Sequence, residues 1–277
     1  MPPSLPDLAP LAGLLVLLEL AVGTVAVSAI LDHVGRVGRG YAGTTAAICA
    51  LIMGADLLVI SGSSDLGALL HRGVDAGTAA LFTRCAVGFT IALAVDALFA
   101  YVGTETSRRV VAAGTVVLGV VTLMAVGMAI GPALGGLDAA VLELLPAALL
   151  GGTALAGMLL GHWYLVAPNL SFRPLRLSIH LVFGAVALQC AGIVVALATS
   201  VPAARARVLS GDQAGLFWLF VVGAGVVFTI SVASLTLHFA RIRANQPATA
   251  MLYVLIITVV MAMIPGHLIF LLTGAAV

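Results

Sequence analysis

Residues Leu8–Leu31 read LAPLAGLLVLLELAVGTVAVSAIL, a run in which Glu19 is the single charged side chain. At about 1.5 Å of rise per residue, a helix of that length covers roughly 36 Å, enough to cross a hydrocarbon core of about 30 Å. The residues before it, MPPSLPD, include no basic side chain, and the apolar run is longer than the core of a secretory signal, so the stretch is expected to stay as a first membrane span.

The rest of the chain has the same character. Hydrophobic residues make up 62% of it and charged residues 8%, and the mean hydropathy is +1.23. A soluble domain needs more charge than that to cover its surface, so lipid has to do the covering. Apolar runs place spans at about 10–33, 42–61, 84–104, 108–131, 142–166, 175–199, 214–240 and 248–274. The expected fold is an all-α integral membrane bundle of about eight transmembrane helices, in a single domain over residues 1–277.

The connections alternate in charge. Short links hold Arg36 and Arg39, Arg108 and Arg109, Arg173 and Arg176, and Arg241 and Arg243, while the other side holds Arg72, Arg84, Arg205 and Arg207. The positive-inside rule puts the short links in the cytoplasm of a cell inner or plasma membrane, with both termini outward. Span, short basic link, span and longer link then recur after four helices. A gapless shift matches Phe82 with Phe217, Gly88 with Gly223, Arg108 with Arg243 and Gly131 with Gly266. Two parallel four-helix repeats, 8–131 and 142–274, are expected, and the topology carries that expectation more than the residue matches do.

Composition also excludes several functions. The net charge of +1 and the scattered basic residues leave no nucleic-acid surface. All twelve basic residues are arginine, which rules out a lysine Schiff base. Cys49, Cys85 and Cys190 lack CxxC spacing, so packing is expected of them rather than a redox pair or zinc site. No GxxxxGK[ST], HExxH or GxSxG motif occurs, and the glycines of 35–41 belong to a basic link rather than to a phosphate loop.

The remaining signal is where polar side chains fall within the spans. His33, His162, His180 and His238 each lie within one or two turns of the arginine-rich end of a span, in one layer. Imidazoles at matched depth can ligate a b-type haem or another metal, with His162, His180 and His238 as the candidate set, or donate hydrogen bonds to a quinone carbonyl. Trp163, Tyr164, Arg173 and Arg176 add stacking rings and positive charge at the same edge. The Gly157–Gly161 spacing allows close helix approach that would aim His162 inward. Equally, histidines and aromatic residues near span ends often sit among lipid headgroups.

Glu19, Asp56 and Asp96 lie deeper, without a basic residue within a helical turn. Carboxyl groups inside a membrane are rare and mark proton paths or interhelical hydrogen bonds, so Glu19 and Asp96 are candidates for proton transfer. Pro265-Gly266-His267 is expected to interrupt the eighth span and free the Met261 carbonyl, and His71, with Asp65, Arg72 and Asp75, reads as a solvated loop residue.

Three functions fit these residues. The first is a membrane subunit of a respiratory or other redox complex that binds b-type haem or quinone near the cytoplasmic side, with carboxylates handling protons. The second is a proton- or cation-coupled small-molecule transporter. The third is an anchor for soluble partner subunits. All three act in a lipid bilayer, and the first and third involve other chains.

Overall fold

The computed structural model describes residues 5–62, 74–167 and 170–277, without the side chains of 5–7 and 62. Among these residues there is no strand, and eight helices are long and apolar enough to cross a membrane. They are α1 (Leu5–Gly35), α2 (Arg39–Gly62), α3 (Ala76–Val102), α4 (Glu105–Ile130), α5 (Leu137–Val166), α6 (Arg173–Thr199), α7 (Ala214–Arg241) and α8 (Asn245–Thr273). The expected all-α membrane bundle is what the chain forms. His71, Asp65, Arg72 and Asn169 lie outside the described residues.

Hydrocarbon offers backbone groups no water, so every span is helical, and two of them begin at side-chain caps. Asp75 caps α3 by accepting the Thr78 N–H at 2.9 Å, and Thr104 caps α4 by accepting that of Ser107 at 3.2 Å. These caps begin both helices earlier than the apolar runs suggest. Arg84 therefore lies inside α3, and Arg108 and Arg109 lie inside α4. Likewise α5 starts at Leu137, which carries residue 143 almost two turns into the helix. Proline does not break α8: the helix is continuous through Pro265, so the expected interruption is absent. The irregular span is α7, whose Phe217–Phe228 segment is wound as a π-helix.

Helix α1 packs on α2, α4, α5, α6 and α8, and α5 packs on α1, α2, α4, α6 and α8. Helices α2, α3 and α4 close a ring around one side of α1, while α6, α7 and α8 do the same for α5. Exchanging α1–α4 for α5–α8 leaves this set of neighbours unchanged. Helices α1 and α5 are accordingly buried over most of their length, whereas α2, α3, α4, α6 and α7 turn apolar side chains such as Leu51, Leu58, Val117 and Leu219 outward to lipid.

The two central helices meet where neither has a side chain. A Cβ on Gly23 would stand 1.7 Å from the Ala148 carbonyl oxygen, and one on Gly152 would stand 2.1 Å from the Gly23 carbonyl carbon. Small residues at such a crossing let backbones approach and gain the close contacts that drive association in lipid. Gly23→Val should therefore unfold the bundle or lower its melting temperature markedly, since overpacking costs about 1–3 kcal/mol and backbone cannot yield as a side chain can. Gly184→Ala, with nothing within 4 Å of its new Cβ, should leave the melting temperature unchanged or raise it. Thermal unfolding of both variants in detergent checks this.

Candidate functional site

Polar side chains gather at two places, one toward each face of the bundle. On the arginine-rich face, Asp32 sits three residues before the end of α1 and Arg108 three residues after the start of α4. Both are buried, and Arg108 Nη1 stands 2.7 Å from Asp32 Oδ2. Beside the pair, a groove of about 550 Å³ runs between α1 and α4, with Asp96 of α3 on its wall. His33, Ser28 and Arg109 complete its polar end. Its rim is formed by Ile30, Val34 and Val117, which are exposed apolar residues within membrane-spanning helices, so the groove opens sideways into lipid. The Nε and Nη1 of Arg108 and the Nε of Arg109 are buried and make no hydrogen bond among the described residues, so the contact with Asp32 is an ion pair rather than an aligned hydrogen bond.

The second place lies in the other half of the membrane, at the junction of α1, α5 and α8. His267 is wholly buried there and bonded on both ring nitrogens. Its Nε2 is 2.8 Å from Glu19 Oε2, and its Nδ1 is 2.9 Å from Glu143 Oε1. Both carboxyl groups are themselves buried. The second oxygen of Glu143 accepts the Val277 backbone N–H at 2.7 Å, and Gln189 of α6 donates to the Val277 carbonyl at 3.2 Å. Gly274 makes this contact possible. At φ +74° it ends α8 in the left-handed region and turns 275–277 back into the bundle.

Sequence reasoning selected some of these groups and missed others. Glu19, Asp96 and His33 belong to the two places just described. Asp56 is buried on α2 and accepts no hydrogen bond among the described residues. The histidine layer is not brought together: His33, His162, His180 and His238 are all exposed on the outside of their helices. His162 is not aimed inward by Gly157 and Gly161, which pack against Leu252 of α8. The next residue, turned about 100° further around the helix, faces outward, and its Nδ1 lies 3.2 Å from the Tyr253 hydroxyl.

Among the described residues, no three His, Cys, Asp or Glu side chains are grouped so as to hold a metal ion, so the set His162, His180 and His238 is not assembled. The other residues at this edge have packing partners or face outward. Trp163 lies over Gly40 of α2, and Tyr164 is buried, donating its hydroxyl to the Ser171 carbonyl. Arg173 and Arg176 are exposed.

Glu143 and Asp32 carry no sequence signal as strong as their structural role. A fifth span starting near 142 puts Glu143 at a membrane edge, and Asp32 looks like part of a polar helix end. The signal that was available is pairing between helices: Asp32 with Arg108, and the one histidine of the eighth span with carboxylates of the first and fifth. A scan against protein-family models, a search of curated proteins and a search of solved structures each returned no match.

Two cavities lie on the face opposite the arginines, and the smaller adjoins the buried histidine. One is a void of about 20 Å³ lined by Glu143, Gln189, His267 and Val277. The other, about 370 Å³, is lined by Asp138, Thr199, Ser200 and Ala276. On that face the link between α6 and α7 is closed by Arg207, whose Nη2 is 3.0 Å from Asp212 Oδ2 and whose Nη1 reaches the Leu272 carbonyl at 3.4 Å. Hydrogen bonds from Arg207, then from Gln213, pull the Asp212 carboxyl down from its ordinary 3.8 to about 2. A lowered carboxyl stabilises the fold above its unfolded value and loses that contribution as pH falls through the folded one. Amide exchange in residues 202–213, corrected for its intrinsic pH dependence, should therefore stay constant down to pH 3.8 and accelerate from there toward pH 2.

The buried ion pair gives a second expectation. Asp32→Asn leaves Arg108 buried without its counter-charge, which costs about 3–5 kcal/mol, whereas removing both charges costs less. Thermal unfolding should show Asp32→Asn strongly destabilised and the double variant Asp32→Asn/Arg108→Gln partly recovered. Two single losses that simply add would contradict a direct pairing.

Proposed function

We propose that this chain is a membrane subunit of a redox complex and binds a lipophilic quinone in the groove between α1 and α4. The observation that supports it is a lipid-open apolar groove of about 550 Å³ that ends on buried charged side chains. Ligand cavities of roughly 300–1,000 Å³, mostly apolar with a few convergent polar groups, suit a ring of that kind. A molecule dissolved in the bilayer enters sideways past Ile30, Val34 and Val117. Its carbonyl oxygens need donors, and Arg108, Arg109 and His33 supply N–H groups at the inner end.

Quinone reduction takes up two electrons and two protons. In this reading Asp96 and the Asp32–Arg108 pair exchange the protons, and a partner subunit bearing a redox centre supplies the electrons. The arginine-rich links face the cytoplasm, by their charge, in an inner or plasma membrane. Haem has no place in the proposal, because its candidate ligands His162, His180 and His238 are exposed and are not grouped among the described residues. We also infer that α1–α4 and α5–α8 are parallel repeats, a reading supported by their matching neighbours.

A proton- or cation-coupled carrier is the second reading. It is favoured by the Glu19–His267–Glu143 cluster between the two four-helix halves, where carriers built from repeats hold their coupling groups. The experiment that separates the two uses the whole chain in lipid nanodiscs with a photoreactive quinone analogue. Saturable labelling of 25–34 and 108–117 is expected, weakened at least tenfold by Ala112→Phe, which fills the groove without altering a charge. Labelling that does not saturate, or that falls elsewhere, overturns the quinone site. In that case decay of a pH gradient in proteoliposomes, compared between the wild type and Glu143→Gln, tests the carrier.

A further inference from the structure

The groove does not use Glu19, His267 and Glu143, three buried ionisable groups that stand in contact with one another. They come from three different helices, with no arginine among them. The other helices at this junction bring no titratable side chain to it: α6 contributes Gln189, and α7 contributes Val221 and Gly225. A further charged group beside it is the terminal carboxylate of Val277, which accepts from Gln189 Nε2 at 3.2 Å, while the Val277 N–H donates to Glu143.

Counting protons shows what such a cluster has to hold. Each ring nitrogen faces a carboxylate oxygen, so at least one proton lies on each of the two hydrogen bonds. With both on the ring and both carboxyl groups ionised, the cluster carries a net charge of −1 in a medium that penalises it heavily. One more proton makes it neutral. The free oxygen of Glu19, Oε1, is buried and has no partner among the described residues, which leaves it as the place where that proton can reside.

A small void adjoins the cluster on the side opposite the arginines. The void of about 20 Å³ beside Glu143 and His267 exceeds what one water needs, and Gln189 Oε1, buried and without a partner among the described residues, lies on its wall. Val277 separates this void from the cavity of about 370 Å³, which its neighbour Ala276 lines.

We propose that Glu143, His267 and Glu19 form a proton relay that draws from the cavity opposite the arginines through one water held at Gln189, and stores the proton on Glu19. With the ring protonated on Nε2 only, a proton on Glu143 Oε1 passes to Nδ1 as the ring gives its Nε2 proton to Glu19 Oε2. Rotation of the Glu19 carboxyl carries that O–H to the Oε1 side, and return of the ring to its Nε2–H tautomer leaves Nδ1 free to accept again. No bond other than O–H and N–H forms or breaks, and no oxidant is required. The relay holds whichever ligand the groove takes.

The chain has three glutamates, Glu19, Glu105 and Glu143, and Glu105 is exposed. The test is infrared difference spectroscopy between two pH values on the full chain in lipid, carrying Glu105→Gln and glutamate labelled with ¹³C at the side-chain carboxyl. A pH-dependent carboxylic acid C=O band that moves with the label and shifts in D2O is expected. A cluster that only ties three helices together keeps one protonation state and gives no such band, and that result overturns the relay. Gln189→Leu, which removes the water's partner, should slow deuterium exchange of the band at least tenfold while keeping the band. An unchanged exchange rate overturns the route through the void. The labelled band is read with Glu19, His267 and Glu143 all in place, so the test does not depend on any of their variants folding.

Discussion

The α1–α5 crossing is the contact on which the rest depends. Only glycine at 23 and 152 lets these backbones come as close as they do, and hydrocarbon supplies no hydrophobic force between helices to compensate for a looser fit. Glu19 lies one turn before Gly23, and Glu143 lies on the α5 segment leading into the same contact. Close approach therefore sets two carboxylates from different halves of the chain near one point, and α8, packed on both helices, places His267 between them. Two like charges brought together in a dry core would push the helices apart, and the imidazole converts that repulsion into two hydrogen bonds.

Much of the fold was legible because bilayer thickness is a strict ruler. Eight apolar runs gave eight helices, and the alternation of basic links gave a correct sense of which helix ends share a face. Boundaries failed where a helix begins beyond the apolar run, at the polar caps Asp75 and Thr104 and at Leu137, which follows Gly136 without a side-chain cap, since hydropathy measures contact with lipid and a helix extends to wherever its backbone groups find partners. The candidate site was harder to read for a related reason. Depth follows from counting residues, but rotation about the helix axis does not. His162 has the right depth and the wrong phase, because the glycines beside it already give that face to α8. His267 has the right phase, yet what makes it a site is two carboxylates from spans far away in sequence.

The same distinction explains why the arginines divide into two kinds. Arg173 and Arg176 remain exposed at a helix start, where charge marks the side of the membrane and little else. Arg108 is one helical turn inside α4 and meets Asp32 there. A guanidinium in that position is held by its partner and by the water or ligand that reaches it, so the groove beside it is a consequence of burying a charge near the membrane edge.

Helix α1 is the one element that contributes charged residues to both places, with Glu19, Thr24, Ser28 and Asp32 all buried along it. Thirteen residues separate Glu19 from Asp32, roughly 20 Å along the axis. At that distance and an effective dielectric constant near 20, one unit charge shifts the energy of another by about 0.8 kcal/mol. That is less than the 1.4 kcal/mol of a tenfold change in occupancy. Direct electrostatics between the places is therefore weak, and any influence of a proton on Glu19 over the groove would have to pass through the packing of α1 against its neighbours. The glycine crossing lies between the two, so the contact that assembles the bundle is also the pivot through which they would communicate.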